Sequence, residues 1–104
     1  MTDASEAGFQ KLVMDTARLF GWMAVHYRKV PVKVGYKVVW MTPVTGDKGG
    51  PDLLLARDGV TLHPELKTDT GEVGPDQKLW AKHLGGTYRL WRPKMWDEIL
   101  KELR

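Results

Sequence analysis

The stretch GGPDLLLARDGVTLHPELK, residues 49–67, decides how the chain is read. At its centre, Asp58-Gly59 is a two-residue hairpin signal suited to a type I′ turn, in which both central residues take φ > 0. Leu53, Leu54 and Leu55 form a run that suits the buried centre of a sheet. Carboxylates and lysines are poor strand residues, yet Asp52 opens the first strand and Glu65-Leu66-Lys67 closes the second. With Asp58 and Gly59 as the turn, Arg57 pairs with Val60, and counting back sets Asp52 directly opposite Glu65. Cross-strand partners share a face and lie about 4.5–5.5 Å apart at Cα. Lys67, two residues beyond Glu65, points to that face as well. One turn thus gathers two carboxylates and one ammonium at a single sheet edge. Pro64 has no N–H to give to a ladder, so a bulge or an unpaired position there is also expected, and a bulge would shift the register by one.

Two chemical readings compete for this cluster. A surface salt-bridge group contributes on the order of 0–1 kcal/mol and is common on hairpins. Against it, Asp52 and Glu65 repel one another, one lysine does not balance both, and a central strand cannot solvate a carboxylate cheaply. Paired carboxylates suit a hard divalent cation such as Mg²⁺, which takes oxygen ligands and retains several waters. Metal binding is the preferred reading.

Outward from the hairpin, Phe9, Leu12, Val13, Thr16, Ala17 and Phe20 recur at helical spacing, which predicts an amphipathic helix over 5–20. Ser5 or Asp3 caps its start and Gly21 its end. Residues 22–28 and 34–40 read as strands joined by a connection around Pro31, and residues 42–51, TPVTGDKGGP, as a loop. Residues 68–75 form another loop, 76–84 a short helix ended by Gly85-Gly86, 88–91 a strand, and 94–103 a last helix with Trp96, Ile99, Leu100 and Leu103 as its stripe. This order predicts a single mixed α/β domain over residues 1–104, with one central sheet.

Composition narrows the class. The 104 residues are 42% hydrophobic and contain no cysteine, which excludes disulfides, thiol catalysis and thiolate zinc sites. The opening MTDASEAGFQ has neither the basic nor the apolar region of a signal peptide, and no run approaches membrane-spanning length, so a cytoplasmic protein is expected. Net charge is +3, but Arg28, Lys29, Lys33, Lys37 and Lys48 face only Asp47 across residues 28–48. Such a block attracts polyanions, although basic surface also occurs on proteins that never bind nucleic acid.

Further candidates are weaker on their own. Glu6 extends the buried stripe of the first helix, but a first-turn acid is already explained by the helix dipole. Gln77 opens the short helix and by itself is an ordinary surface glutamine. His63 has a possible place beside Glu65, His26 beside aromatic and basic residues, and His83 on a solvated helix face; structural roles serve for all three. Trp91 and Trp96 fall on core patterns, leaving Tyr36 and Trp40 for contact with a partner.

Taken together, Glu6, Gly-Pro-Asp at 50–52, Glu-Leu-Lys at 65–67 and Gln77 resemble the PD-(D/E)xK nuclease superfamily. More narrowly, the chain resembles the virus-type replication-repair nuclease (VRR-NUC) family in its small stand-alone phage form. The likeness extends over the Glu-bearing helix, Gly21-Trp22, the loop into Asp52, the run ELKTDTGEVGPDQ and the exit YRLWRP. It implies a restriction-endonuclease-like core, a mixed sheet with a catalytic hairpin flanked by helices. It also implies Asp52, Glu65 and the Leu66 carbonyl as metal ligands, with Glu6 joining directly or through water. Lys67 would orient or deprotonate the attacking water or stabilise phosphate charge, and Gln77 would position the water, Lys67 or the DNA backbone. Gly50 departs from the bulkier residue frequent in relatives.

The resemblance therefore implies a Mg²⁺-dependent (or Mn²⁺-dependent) endonuclease in a host cytoplasm, selective for branched DNA such as four-way junctions. A homodimer suits a symmetric junction. Gly49 and Gly50 would let backbone approach phosphate, and the basic residues from Arg28 to Lys48 would track it. A nicking or sequence-selective phage endonuclease, a non-cleaving DNA-binding module and a scaffold with surface salt bridges are the alternatives.

Overall fold

The computed structural model describes residues 5–104. Helix α1 spans Glu6–Leu19; the Ser5 hydroxyl caps it by accepting the Gly8 N–H at 3.0 Å. Asp3, the alternative cap, lies outside the described residues. Phe9, Val13 and Ala17, four apart, carry the buried stripe, whereas Leu12 is exposed. Gly21 ends the helix in a left-handed conformation (φ 86°). There the Trp22 N–H bonds the Ala17 carbonyl and the Gly21 N–H bonds that of Arg18, each at 3.0 Å, closing a Schellman turn.

Strands β1 (Met23–His26), β4 (Leu53–Arg57), β5 (Val60–Leu66) and β6 (Tyr88–Trp91) form one mixed sheet in the order β1-β4-β5-β6. The first two pairings are antiparallel and β5–β6 is parallel. Helix α2 (Pro75–Leu84) connects the parallel pair, and α3 (Trp96–Leu103) closes the chain. Leu53, Leu55, Leu62, Leu66 and Trp91 share the core with Phe9, Val13, Ala17, Trp22, Ile99 and Leu103. Arg57 ties this layer together. Its guanidinium donates to the carbonyls of Phe20 and Leu103, both at 2.8 Å, and stacks 4.4 Å from the Trp22 ring centre. A cation there suits the C-terminal ends of α1 and α3.

The region between β1 and β4 differs from expectation. Residues 34–40 are not one strand, and Pro31 is not in a connection. Instead β2 (Val30–Val34) and β3 (Lys37–Met41) form a separate two-stranded hairpin with Pro31 opposite Trp40. The turn is Gly35-Tyr36, with φ 61° at Gly35, the glycine-first pattern of a type II′ turn. Every residue of β3 is exposed.

Candidate functional site

The β4–β5 turn forms as the dipeptide requires: φ is 51° at Asp58 and 80° at Gly59, and Arg57 pairs with Val60, Ala56 with Thr61 and Leu55 with Leu62. The ladder ends there. Residues 62, 64 and 66 direct their backbone groups toward β4, and Pro64 has no N–H to give. Beyond it the Leu66 N–H is taken by the Asp52 side chain, with Oδ2 accepting at 2.8 Å. The expected strand pair of Asp52 with Glu65 is therefore replaced by a side-chain bond to the next residue. The β5–β6 register continues without interruption from His63–Tyr88 to Leu66–Trp91, so Pro64 ends one ladder without inserting a bulge in the other.

Glu65 is the buried charged residue at the centre, 2% exposed. It lies on the sheet face opposite Leu62 and Leu66 by strand alternation. Gln77, on α2, reaches it: Nε2 donates to Glu65 Oε1 at 3.1 Å, while Gln77 Oε1 accepts the Gly74 N–H at 2.8 Å. The other carboxylate oxygen, Glu65 Oε2, is buried with no partner. Burial, and then the neighbouring Asp52 carboxylate, push the Glu65 pKa up to about 8, with Lys67 and Lys29 pulling the other way. The arrangement brings Asp52, Glu65, Leu66, Lys67 and Gln77 together. Glu6 opens α1 exposed to solvent, and among the described residues no third aspartate, glutamate or histidine joins the pair to make a cluster.

These donors fit a hard divalent cation. An orphaned carboxylate oxygen beside a second carboxylate in a poorly hydrated place needs a proton or a cation to balance its charge. The Leu66 carbonyl points to the same side as its N–H, toward Asp52. Two carboxylates and one carbonyl, completed by water, match the sparse protein coordination that Mg²⁺ accepts.

No protein family, curated protein or solved structure matches the chain.

The remaining candidates have structural explanations or lie apart. Gly49 takes φ 88°, and a Cβ there would stand 2.6 Å from the Asp76 Cβ, so this glycine serves the close approach of the loop to α2. The Trp80 indole fixes the same loop by donating to the Lys48 carbonyl at 3.0 Å. Gly50 has room for a Cβ at ordinary contact, 3.8 Å from Trp80, so a bulkier residue there meets no obstacle at its first carbon. His26 Nδ1 pairs with Gln10 at 2.7 Å, His63 Nδ1 with Thr87 at 3.0 Å, and His83 is exposed on α2. Arg28, Lys29, Lys33, Lys37 and Lys48 are all exposed. A groove of about 660 Å³ lined by Asp69, Glu72, Lys78, Arg92 and Lys94 includes neither carboxylate of the pair.

Two contributors to the site carry no local sequence signal. Lys29 belongs to the basic block, and its charge also acts on Glu65. Tyr88 opens strand β6, its hydroxyl is buried without a partner, and Glu65 and Asp52 both act on it. Its signal lay in the parallel β5–β6 register, which no local pattern announces.

Proposed function

We propose that the protein is a divalent-cation-dependent endonuclease that hydrolyses phosphodiester bonds in DNA. The observation that carries this reading is the buried, partnerless Glu65 oxygen beside Asp52, with Lys67 close enough for its charge to act on Glu65. Asp52, Glu65 and the Leu66 carbonyl would hold the cation, which when bound supplies Lewis acidity and an activated water. Gln77 fixes the direction of Glu65. Lys67 and Lys29 place positive charge where the phosphate's negative charge grows during attack, and a partly dry site amplifies that effect. The exposed basic residues from Arg28 to Lys48 favour sequence-independent binding to a phosphate backbone.

The finer reading, a homodimer acting on branched DNA, draws on the resemblance to VRR-NUC enzymes. The exposed β2–β3 hairpin supports it as a surface available to a partner or to DNA. Cleavage of labelled four-way junction, flap, single-stranded and linear duplex DNA with Mg²⁺ or Mn²⁺ tests both levels. Paired symmetric nicks in the junction, reduced about 10²–10³-fold by Lys67→Ala, are expected. Cuts confined to other substrates would remove the junction assignment; DNA binding without cation-dependent cutting of any substrate would leave a DNA-binding module.

A further inference from the structure

Two buried side-chain polar atoms among the described residues lack a hydrogen-bond partner, and they are chemically complementary: Glu65 Oε2, an acceptor when ionised, and the Tyr88 hydroxyl, a donor. Buried polar groups in folded proteins are nearly always paired. Asp52 can share a bond with the Glu65 carboxyl only while one of the two acids is protonated. Once a cation takes the proton's place, Oε2 needs another donor, and the Tyr88 hydroxyl lacks an acceptor. Strand register puts them together. Tyr88 stands opposite His63, and Leu90 opposite Glu65, on adjacent parallel strands. Residues in register share a face and alternate along the strand, so Tyr88 and Glu65 face the same side, one strand and two residues apart. That offset is about 8 Å between Cα atoms, within the combined reach of a tyrosine and a glutamate.

Electrostatics agrees with the placement. Burial, then the charges of Glu65 and Asp52, push the Tyr88 pKa up to about 12. The phenol therefore keeps its proton at working pH and remains a donor.

We propose that Tyr88 is a positioning residue of the acid site, its hydroxyl donating to the Glu65 carboxylate when that carboxylate serves as a cation ligand, and so fixing the ligand's orientation. This rests on the metal-site reading above. Gln77 holds Oε1 of Glu65 from α2, and Tyr88 holds the carboxylate from β6. Hydrogen bonds to a ligating carboxylate set its direction, and their loss typically lowers metal affinity about 10–100-fold.

Tyr88→Phe removes the hydroxyl and keeps the ring. The test is Mn²⁺ binding by calorimetry, with the melting temperature of the metal-free protein measured in parallel. Affinity about 10-fold weaker in the variant, with metal-free melting unchanged or raised, is the expected result. Unchanged affinity overturns the role of Tyr88, and so does a loss of affinity that comes with an equally damaged metal-free fold. A wild-type chain that binds no Mn²⁺ overturns this proposal and the nuclease reading together, which separates the two failures. As a check independent of the variant's folding, 3-fluorotyrosine can label all three tyrosines. The ¹⁹F resonance of Tyr88, assigned against Tyr27→Phe and Tyr36→Phe, should shift on adding Mg²⁺. A resonance that stays in place while Mg²⁺ binds overturns the proposal.

Discussion

Among the described residues two hairpins are built on two-residue turns, and they have opposite fates. The β4–β5 hairpin turns at Asp58-Gly59, buries Leu53, Leu55 and Leu62 on one face and carries the paired carboxylates toward the other. The β2–β3 hairpin turns at Gly35-Tyr36 and leaves Val34, Val38, Val39, Trp40 and Met41 exposed. Turn chemistry is sufficient to reverse a chain in both. What it does not decide is whether the reversed strands find a sheet to join. One hairpin has strands on both sides and helices beneath; the other is a two-stranded ribbon, a form that is marginal without partners.

This contrast can be broken most severely at its buried member. Leu55→Ala should destabilise the protein by about 2–5 kcal/mol, because the core around a fully buried leucine collapses only in part. Denaturant titration measures the loss, and a change below 1 kcal/mol would mean that β4 is not an interior strand.

The next effect is electrostatic and also belongs to β5. Since the folded Glu65 pKa, about 8, lies above the ordinary 4.5, the native state binds a proton more tightly than the unfolded chain. The contribution of Glu65 to the stability of the metal-free protein is therefore fully present below about pH 4.5 and is lost as pH rises toward 8, levelling above it. Glu65→Gln should abolish this slope in a series of thermal melts, and Mg²⁺ should offset it in the wild type, because a cation takes the proton's place. A wild-type profile flat from pH 5 to 8 would refute the buried-acid account.

Gly49→Ala comes next, expected to cost about 1–3 kcal/mol for a non-glycine residue held in a left-handed conformation against Asp76. Gly50→Ala, one position on, should change stability by less than about 0.5 kcal/mol. Equal effects at the two positions would show that the loop is not packed against α2 as described.

The smallest effect is expected on the exposed hairpin. Val38, 64% exposed, should tolerate alanine within about 0.5 kcal/mol in the monomer. The comparison sharpens if Val38→Ala or Trp40→Ala leaves melting unchanged at low protein concentration but weakens self-association in sedimentation or DNA binding in a titration. A large loss of monomer stability would mean that the hairpin folds back on the body of the protein.

The two hairpins also show what the sequence could disclose. Asp58-Gly59 specifies its own geometry, so the Arg57–Val60 register and the gathering of Asp52, Glu65 and Lys67 were legible from local chemistry. The helices were legible from Ser5, Gly21, Gly85 and the apolar spacing. The Gly35-Tyr36 turn is masked in the sequence by Pro31, which suggests a break in the chain but sits within an edge strand, where a missing N–H is tolerated. The end of the β4–β5 ladder was half legible: Pro64 announced an unpaired position, but not that the Asp52 side chain would accept the Leu66 N–H beyond it. The contribution of Tyr88 was not legible, because it depends on β6 entering the sheet parallel to β5, a long-range choice.

The contact between Asp52 and Leu66 spans 14 residues and that between Glu65 and Gln77 spans 12, whereas Trp22 meets the Leu103 carbonyl across 81. Segments of the shorter kind close in roughly 10–100 ns, and the entropy of closure grows with length. The loops that bring the acid site together, Gln77 of α2 included, are therefore cheaper in entropy to close than the one that joins Trp22 to the end of α3. The like charges of Asp52 and Glu65 oppose that closure, and a divalent cation relieves the opposition. The refolding rate of this protein should accordingly rise when Mg²⁺ is present from the first mixing, whereas Mg²⁺ withheld until folding is complete leaves it unchanged.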